Sequence, residues 1–122
     1  MLWWVDTGAN IHVCADISLF SSYQVGRGSY LLTGNGSLAA VYGVGTVDLK
    51  FTSGKIVQLK NVQHVPSIKK NLVSDSLLCR DGFRLVFESN KCVVSNMERL
   101  FEKVMTAEAC FAFPWMICVI KL

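Results

Sequence analysis

The chain has 122 residues, of which 52% are hydrophobic, and a formal net charge of +3. This length and apolar content are typical of one domain, or part of one, with a hydrophobic core of its own. Its 12 Lys and Arg residues are scattered, so the basic face of a protein that binds nucleic acid directly is not indicated.

The cysteines and the termini indicate a compartment. The 5 cysteines are odd in number, are widely spaced and form no C-x-x-C motif. The first residues lack the basic and apolar regions of a signal peptide. We therefore expect reduced thiols in a cytoplasmic or nuclear protein that is not secreted.

The apolar run 109–120 contains Pro114 and is shorter than a membrane-spanning helix, so a terminal strand is favoured and no membrane association is expected.

The chain begins with an apolar run, residues 2–5, that leads into Asp6, Thr7 and Gly8. The threonine hydroxyl can brace the loop, and glycine lets the backbone turn so that N–H groups point at the carboxylate. This is the local chemistry that an aspartic protease needs. The same tripeptide also occurs as an ordinary turn, so its meaning depends on the rest of the chain.

The next segments predict a turn and a hairpin. Residues 16–23 fit one helical turn with Asp16 as its N-cap. Two apolar runs then flank the tight turn at 34–36, which is the strongest local pattern for a β-hairpin. The glycines of 43–45 predict a bulge or a close approach of two backbones.

The remainder of the chain predicts further strands and one helix. Residues 74–80 indicate a short helix with Ser74 as its cap, and Pro66 should end the strand before it. Alternating or apolar segments predict strands at 46–51, 55–60, 71–73, 83–87 and 91–95. The sequence therefore predicts an all-β fold, a small closed barrel or sandwich with one short helix.

The order of these motifs resembles the protease region of copia-type retrotransposon Gag-Pol polyproteins, a branch of the retropepsin-like aspartic proteases. The resemblance covers roughly residues 3–95 and is carried by the stretches 4–9, 19–23, 34–37, 43–47, 59–66, 70–78 and 81–89. It implies a closed β barrel of the retropepsin type over residues 1–95, without the usual N-terminal strand, followed by a degenerate tail over residues 96–122. Ser74 stands where retropepsins usually have Gly, and Asp75 stands where a small or apolar residue is common.

The resemblance also implies an activity, that of an aspartic endopeptidase acting on a polypeptide. Two aspartates about 3 Å apart cannot both ionise, so they share one proton, and one activates water while the other protonates the carbonyl oxygen. The chain supplies one such turn, so a homodimer is required and Asp6 of a second copy completes the site. The implied catalytic residues are Asp6, Thr7 and Gly8. The implied substrate-binding flap consists of Gly34, Asn35, Gly36 and Ser37.

Several alternatives stay open. The domain could be a catalytically inert, transposon-derived β barrel or an interaction module. The missing strand should leave an unpaired sheet edge, and we expect weak or absent dimerisation and little activity from this segment alone. His12 and Cys14 could seed a zinc site, but no second pair lies at ligand spacing, so no metal and no cofactor are expected.

Overall fold

The computed structural model describes residues 2–6, 8–34, 36–51, 54–88, 91–98, 101–112 and 117–121. These residues are mostly β, with one short helix, α1 (Asp75–Arg80), so the predicted all-β class is confirmed. The strands are β1 (Leu2–Asp6), β2 (Val13–Cys14), β3 (Phe20–Val25), β4 (Tyr30–Leu32), β5 (Leu38–Ala40), β6 (Gly43–Lys50), β7 (Ile56–His64), β8 (Leu72–Ser74), β9 (Phe83–Glu88), β10 (Lys91–Glu98), β11 (Phe101–Ala112) and β12 (Ile117–Lys121).

Within the described residues, no strand pairing closes the sheet into the barrel that the sequence predicted. Ten strands pair in the order β3-β6-β7-β2-β8-β1-β12-β11-β10-β9, and β4 and β5 form a separate hairpin. Because β12 pairs antiparallel with β1, the strands from β9 to β12 follow β1 in the sheet, and β3 and β9 are its edge strands among the described residues. Within the described residues β1 has a neighbour on each side, and residues 96–122 supply β11, β12 and the end of β10.

The main hydrophobic core nevertheless brings distant strands together. Trp3 and Val5 of β1 are buried at 0% and 1% exposure and pack with residues of β6 and β7, including Leu59. Phe83 of β9 and Val94 of β10 contact the same cluster. The sheet therefore curves around a shared interior, as a barrel does, although its edge strands are not hydrogen-bonded to one another.

A bulge in β7 switches which side chains face this core. Val57 and Leu59 are buried, and the next buried apolar residue is Val62. Asn61 has a φ of 55°, and the pairing of β6 with β7 shifts register between Gly45 and Val47. Because β7 has one extra residue here, the side chains that face the core change from odd-numbered positions, Val57 and Leu59, to an even-numbered one, Val62.

Gly45 allows two backbones to approach closely, as the sequence predicted for residues 43–45. A Cβ atom at this position would overlap the carbonyl oxygen of Ser22 and lie 2.9 Å from the ring of Phe20. Strand β3 pairs with β6 here and has its own register shift between Phe20 and Ser22. Any side chain at position 45 would therefore push β3 away from β6.

The predicted local elements are largely confirmed. Asp16 caps a 3₁₀ turn, Ile17–Leu19, by accepting hydrogen bonds from Ser18, which lower the pKa of this carboxyl. The turn is shorter than predicted, because the chain from Phe20 onward pairs with β6. Ser74 caps α1, and β7 ends just before Pro66. Ser89 and Asn90, between the predicted strands at 83–87 and 91–95, lie outside the described residues.

The apolar segment near the C-terminus runs through β11 and β12, which pair antiparallel with each other. Within the part of the chain that the structure describes, no helix has the length and hydrophobicity to cross a membrane.

We expect Gly45→Ala to destabilise the fold by about 1–3 kcal/mol, because the added methyl group must displace β3. The matched control is Gly34→Ala, where an added Cβ meets no atom within 4 Å and the backbone has no positive φ. Its free energy of unfolding should stay within about 0.5 kcal/mol of the parent value. Urea unfolding measures both, and equal stability of the two variants would contradict the close approach.

Candidate active site

Asp6 is the last residue of β1 and is half-buried. Its Oδ1 atom accepts a hydrogen bond from the backbone N–H of Gly8 at 2.8 Å. This is the geometry that the sequence predicted, a turn that directs an amide at the carboxylate. Thr7, the middle residue of the predicted catalytic triplet, lies outside the described residues.

Strand β8 lies beside β1 and positions the turn. The two strands pair in parallel, and the register places Ser74 opposite Asp6. Asn71 stabilises the start of this strand pair, because its backbone carbonyl accepts a hydrogen bond from the N–H of Trp4 at 2.8 Å. Its side-chain oxygen accepts a second hydrogen bond from the N–H of Ala15 at 3.0 Å. The carboxylate therefore lies where two parallel strands end together.

Ser74 connects the loop that follows Asp6 to helix α1. Its buried hydroxyl donates to the carbonyl of Ala9 at 2.6 Å and accepts from the N–H of Leu77 at 3.3 Å. Ser76 donates to the same Ala9 carbonyl at 3.3 Å. A glycine at position 74 could make neither side-chain bond, so the serine adds a connection between the loop and α1.

Asp75, which also departs from the retropepsin pattern, has a side chain that interacts with its own helix, α1. Its Oδ1 atom accepts a hydrogen bond from the thiol of Cys79, one helical turn later, at 3.6 Å. As an acidic residue in the first turn of the helix, it also interacts favourably with the helix dipole.

His12 and Cys14, the two residues considered for a metal site, make other contacts. The Nδ1 atom of His12 accepts a hydrogen bond from the N–H of Ser74 at 3.0 Å, and the thiol of Cys14 donates to the carbonyl of Asp16 at 3.3 Å. Burial raises the pKa of the Cys14 thiol. The described residues contain no cluster of three or more His, Cys, Asp or Glu side chains that could hold a metal ion.

The predicted flap is the hairpin of β4 and β5. Its strands pair from Tyr30 with Ala40 to Leu32 with Leu38, and Thr33 and Ser37 close the turn through backbone and side-chain hydrogen bonds. The β-hairpin that the sequence predicts around residues 34–36 is therefore confirmed. Gly36 has a φ of 83°, which suits glycine. Asn35 lies outside the described residues.

A cleft of about 500 Å³ separates this hairpin from the Asp6 turn. Asp6, Gly8 and Gly34 all line it, so the structure brings the predicted catalytic residues that it describes to the same cleft as part of the predicted flap. Gly36 and Ser37 do not line the cleft. The other residues that line it are Ala9, Asn10 and Thr33 and the larger apolar residues Ile11, Val13, Leu31, Leu32, Ile68 and Leu72.

A second hydrophobic cluster joins the hairpin to the body of the protein. Its buried members are Val13, Ala39, Val41 and Val65, and Leu31 and Leu72 pack against them. Neither this cluster nor the contact of His12 with Ser74 is predicted from the sequence. Alternation in the hairpin could have indicated which side faces inward, but no local pattern shows that His12 contacts a residue 62 positions away.

Residues 3–83 match the family described as the Pol polyprotein, beta-barrel domain, and the chain belongs to this family. The match includes the Asp6 turn, the hairpin, and the chain through β8 and α1.

Two relatives are similar over most of the chain. A retrovirus-related Pol polyprotein from transposon TNT 1-94 of Nicotiana tabacum is 36% identical over 89 residues, or 73% of this chain. A retrovirus-related Pol polyprotein from transposon RE1 of Arabidopsis thaliana is 32% identical over 78 residues, or 63% of this chain. The chain spans only 7% and 5% of these two proteins, respectively. No solved structure matches the sequence significantly.

These findings confirm the resemblance at the level of the domain and of the transposon polyproteins. The protease assignment and the roles of Asp6, Thr7, Gly8, Gly34, Asn35, Gly36 and Ser37 stay predictions.

We expect Ser74→Ala to lower the free energy of unfolding by about 1–3 kcal/mol, because it removes both the cap of α1 and the hydrogen bond to Ala9. The matched control is Ser76→Ala, which removes the 3.3 Å bond to Ala9 and the 3.0 Å contact with the Ser74 hydroxyl but keeps the cap of α1 and the 2.6 Å bond from Ser74 to Ala9. This variant should cost about 0.5 kcal/mol or less. Urea unfolding at neutral pH measures both. Equal losses in the two variants would mean that Ser74 is not the main connection.

Proposed function

We propose that this domain is the aspartic endopeptidase of a transposon Pol polyprotein and that it hydrolyses peptide bonds with Asp6 from two copies of the chain. The observation that carries the proposal is the cleft between the Asp6 turn and the hairpin of β4 and β5. A carboxylate at the base and a strand pair above it could hold an extended polypeptide between them.

The number of carboxylates supports the requirement for a dimer. Among the described residues that line the cleft, Asp6 carries the only carboxylate. Peptide hydrolysis by this chemistry needs two, one ionised to remove a proton from water and one protonated to donate to the carbonyl oxygen. A twofold homodimer supplies the second Asp6 from an identical position.

The proposed reaction uses each group in turn. The ionised Asp6 takes a proton from water as the water oxygen attacks the peptide carbonyl carbon. The protonated Asp6 of the second copy donates its proton to the carbonyl oxygen. Collapse of the tetrahedral species then breaks the C–N bond, and the amine leaves with the proton first removed from water. The second Asp6, now ionised, takes back a proton from one hydroxyl of the tetrahedral species, so a carboxylic acid forms and the pair returns to its starting protonation. The Gly8 N–H, which already binds Oδ1 of Asp6, holds the carboxylate in place.

We expect Asp6→Asn to lower peptide cleavage by more than the ~10²–10⁴-fold of a single general acid–base group, since both halves of the dyad change. The fold should persist, because the asparagine side-chain oxygen can still accept from Gly8 N–H. The matched control is Asp48→Asn on β6, whose carboxylate lies outside the cleft and accepts only a 3.3 Å bond from Gln58.

The assay is cleavage of a peptide library at acid pH, with and without the aspartic-protease inhibitor pepstatin. It uses the chain alone and the chain joined to its flanking reading frame, with sedimentation to establish the oligomeric state. Cleavage that the inhibitor blocks and Asp6→Asn abolishes supports the proposal. Equal cleavage by the Asn variant would exclude Asp6 as the catalyst. A dimer that cleaves nothing would favour the alternative, an inert β barrel or interaction module.

A further inference from the structure

His12 occupies a central position between the strands that hold the Asp6 turn. The residue is 1% exposed. Its backbone carbonyl accepts from the N–H of Gln63 on β7 at 2.9 Å, while its ring Nδ1 accepts from the N–H of Ser74 on β8 at 3.0 Å. One residue thus connects the two strands that flank β2 in the sheet.

The hydrogen bond between Ser74 and His12 lies close to the Asp6 turn. Ser74 is fully buried, lies opposite Asp6 in the strand pair, and binds the Ala9 carbonyl of the catalytic loop. If the ring acceptor were lost, a buried N–H would be left without a partner, which is costly enough to shift the local backbone. Any movement of Ser74 would be transmitted to the loop that begins at Asp6.

We propose that His12 is a positioning residue for the Asp6 turn, because its uncharged ring accepts the Ser74 amide and thereby fixes β8 and the catalytic loop relative to each other. The catalytic consequence rests on the proposed function. The structural consequence does not, because it follows from the hydrogen bond alone.

The contact also makes the arrangement sensitive to pH. Nδ1 can accept only while it is deprotonated, since both nitrogens of a protonated imidazole are donors. Burial lowers the pKa of His12 from 6.5 to about 4, with the Asp81 carboxylate opposing this shift and the Arg80 guanidinium adding to it. The unfolded chain therefore binds the proton more readily. The stabilisation is fully present above about pH 6.5 and is lost as the pH falls from there to about 4.

The first experiment measures amide exchange and ring titration by NMR on the whole chain. We expect His12→Leu, which has no acceptor, to exchange the Ser74 amide at least about tenfold faster at pH 7, from the loss of one buried hydrogen bond. His12→Asn places an amide oxygen near the position of Nδ1 and cannot titrate. It should restore protection at pH 7 and retain it as the pH falls below the His12 pKa of about 4, where the parent protein loses it.

The matched control is His64→Asn. His64 is also buried, at 6% exposure, but its Nδ1 contacts the Tyr23 hydroxyl at 2.9 Å. This variant should leave the Ser74 amide and its pH dependence unchanged. If Ser74 is equally protected in His12→Leu, or if the parent loses protection without titration of the His12 ring, the proposal is wrong. Should His12→Leu fail to fold, the parent and His12→Asn still decide the question.

The second experiment follows peptide cleavage as a function of pH. We expect His12→Leu to lower kcat with little change in KM, and His12→Asn to restore kcat and to extend activity below pH 4 relative to the parent. Cleavage by the parent together with an unchanged kcat in His12→Leu would overturn the positioning role. Absence of cleavage by the dimeric parent would instead contradict the proposed function, and amide exchange would then decide the role of His12.

Discussion

The parallel pairing of β1 with β8 is the constraint on which the candidate site depends. Trp3 and Val5 face the core, so the alternate residue Asp6 points to the other side of the sheet. A slip of one residue would expose both large side chains and bury the carboxylate. Hydrophobic burial in β1 therefore fixes the register, and the register in turn places Asp6 opposite Ser74.

The hairpin depends on a different hydrophobic cluster from the one that fixes β1. Leu31 and Ala39 face inward, whereas Tyr30, Leu32 and Leu38 are 67–69% exposed. Lifting the hairpin away from the body would expose Leu31 to water at a cost that grows with the apolar area uncovered. In the proposed endopeptidase, an apolar substrate side chain in the cleft would contact some of the same apolar residues, including Leu31.

The features that the sequence predicted correctly are those that nearby residues determine. The amide of Gly8 on Asp6, the caps at Asp16 and Ser74, and the hairpin around Gly36 each involve residues a few positions apart. Local chemistry specifies such features almost completely.

The features that the sequence did not predict depend on pairings between distant residues. The closed barrel was expected because most strands are short and turn-separated, yet whether β9 returns to β3 depends on where β12 pairs, which no single segment encodes. The contact of His12 with Ser74 is of the same kind. Asn61 shows a third case, since its positive φ reverses the alternation that a regular strand would have.

In the proposed dimer, a second copy of the chain has to supply a carboxylate but does not have to hold the Asp6 loop in place. The loop that holds Asp6 is fixed within one chain by Gly8, Ser74 and His12, so a partner need not organise it. Among the described residues of the cleft, one chain supplies a single carboxylate, whereas the proposed reaction needs two. The partner would therefore contribute its Asp6 carboxylate, and its contacts would not be needed to fix the loop. Burial of two like charges together is unfavourable unless they hold one proton between them. The pair would thus acquire the acid and the base of the reaction at the moment of assembly.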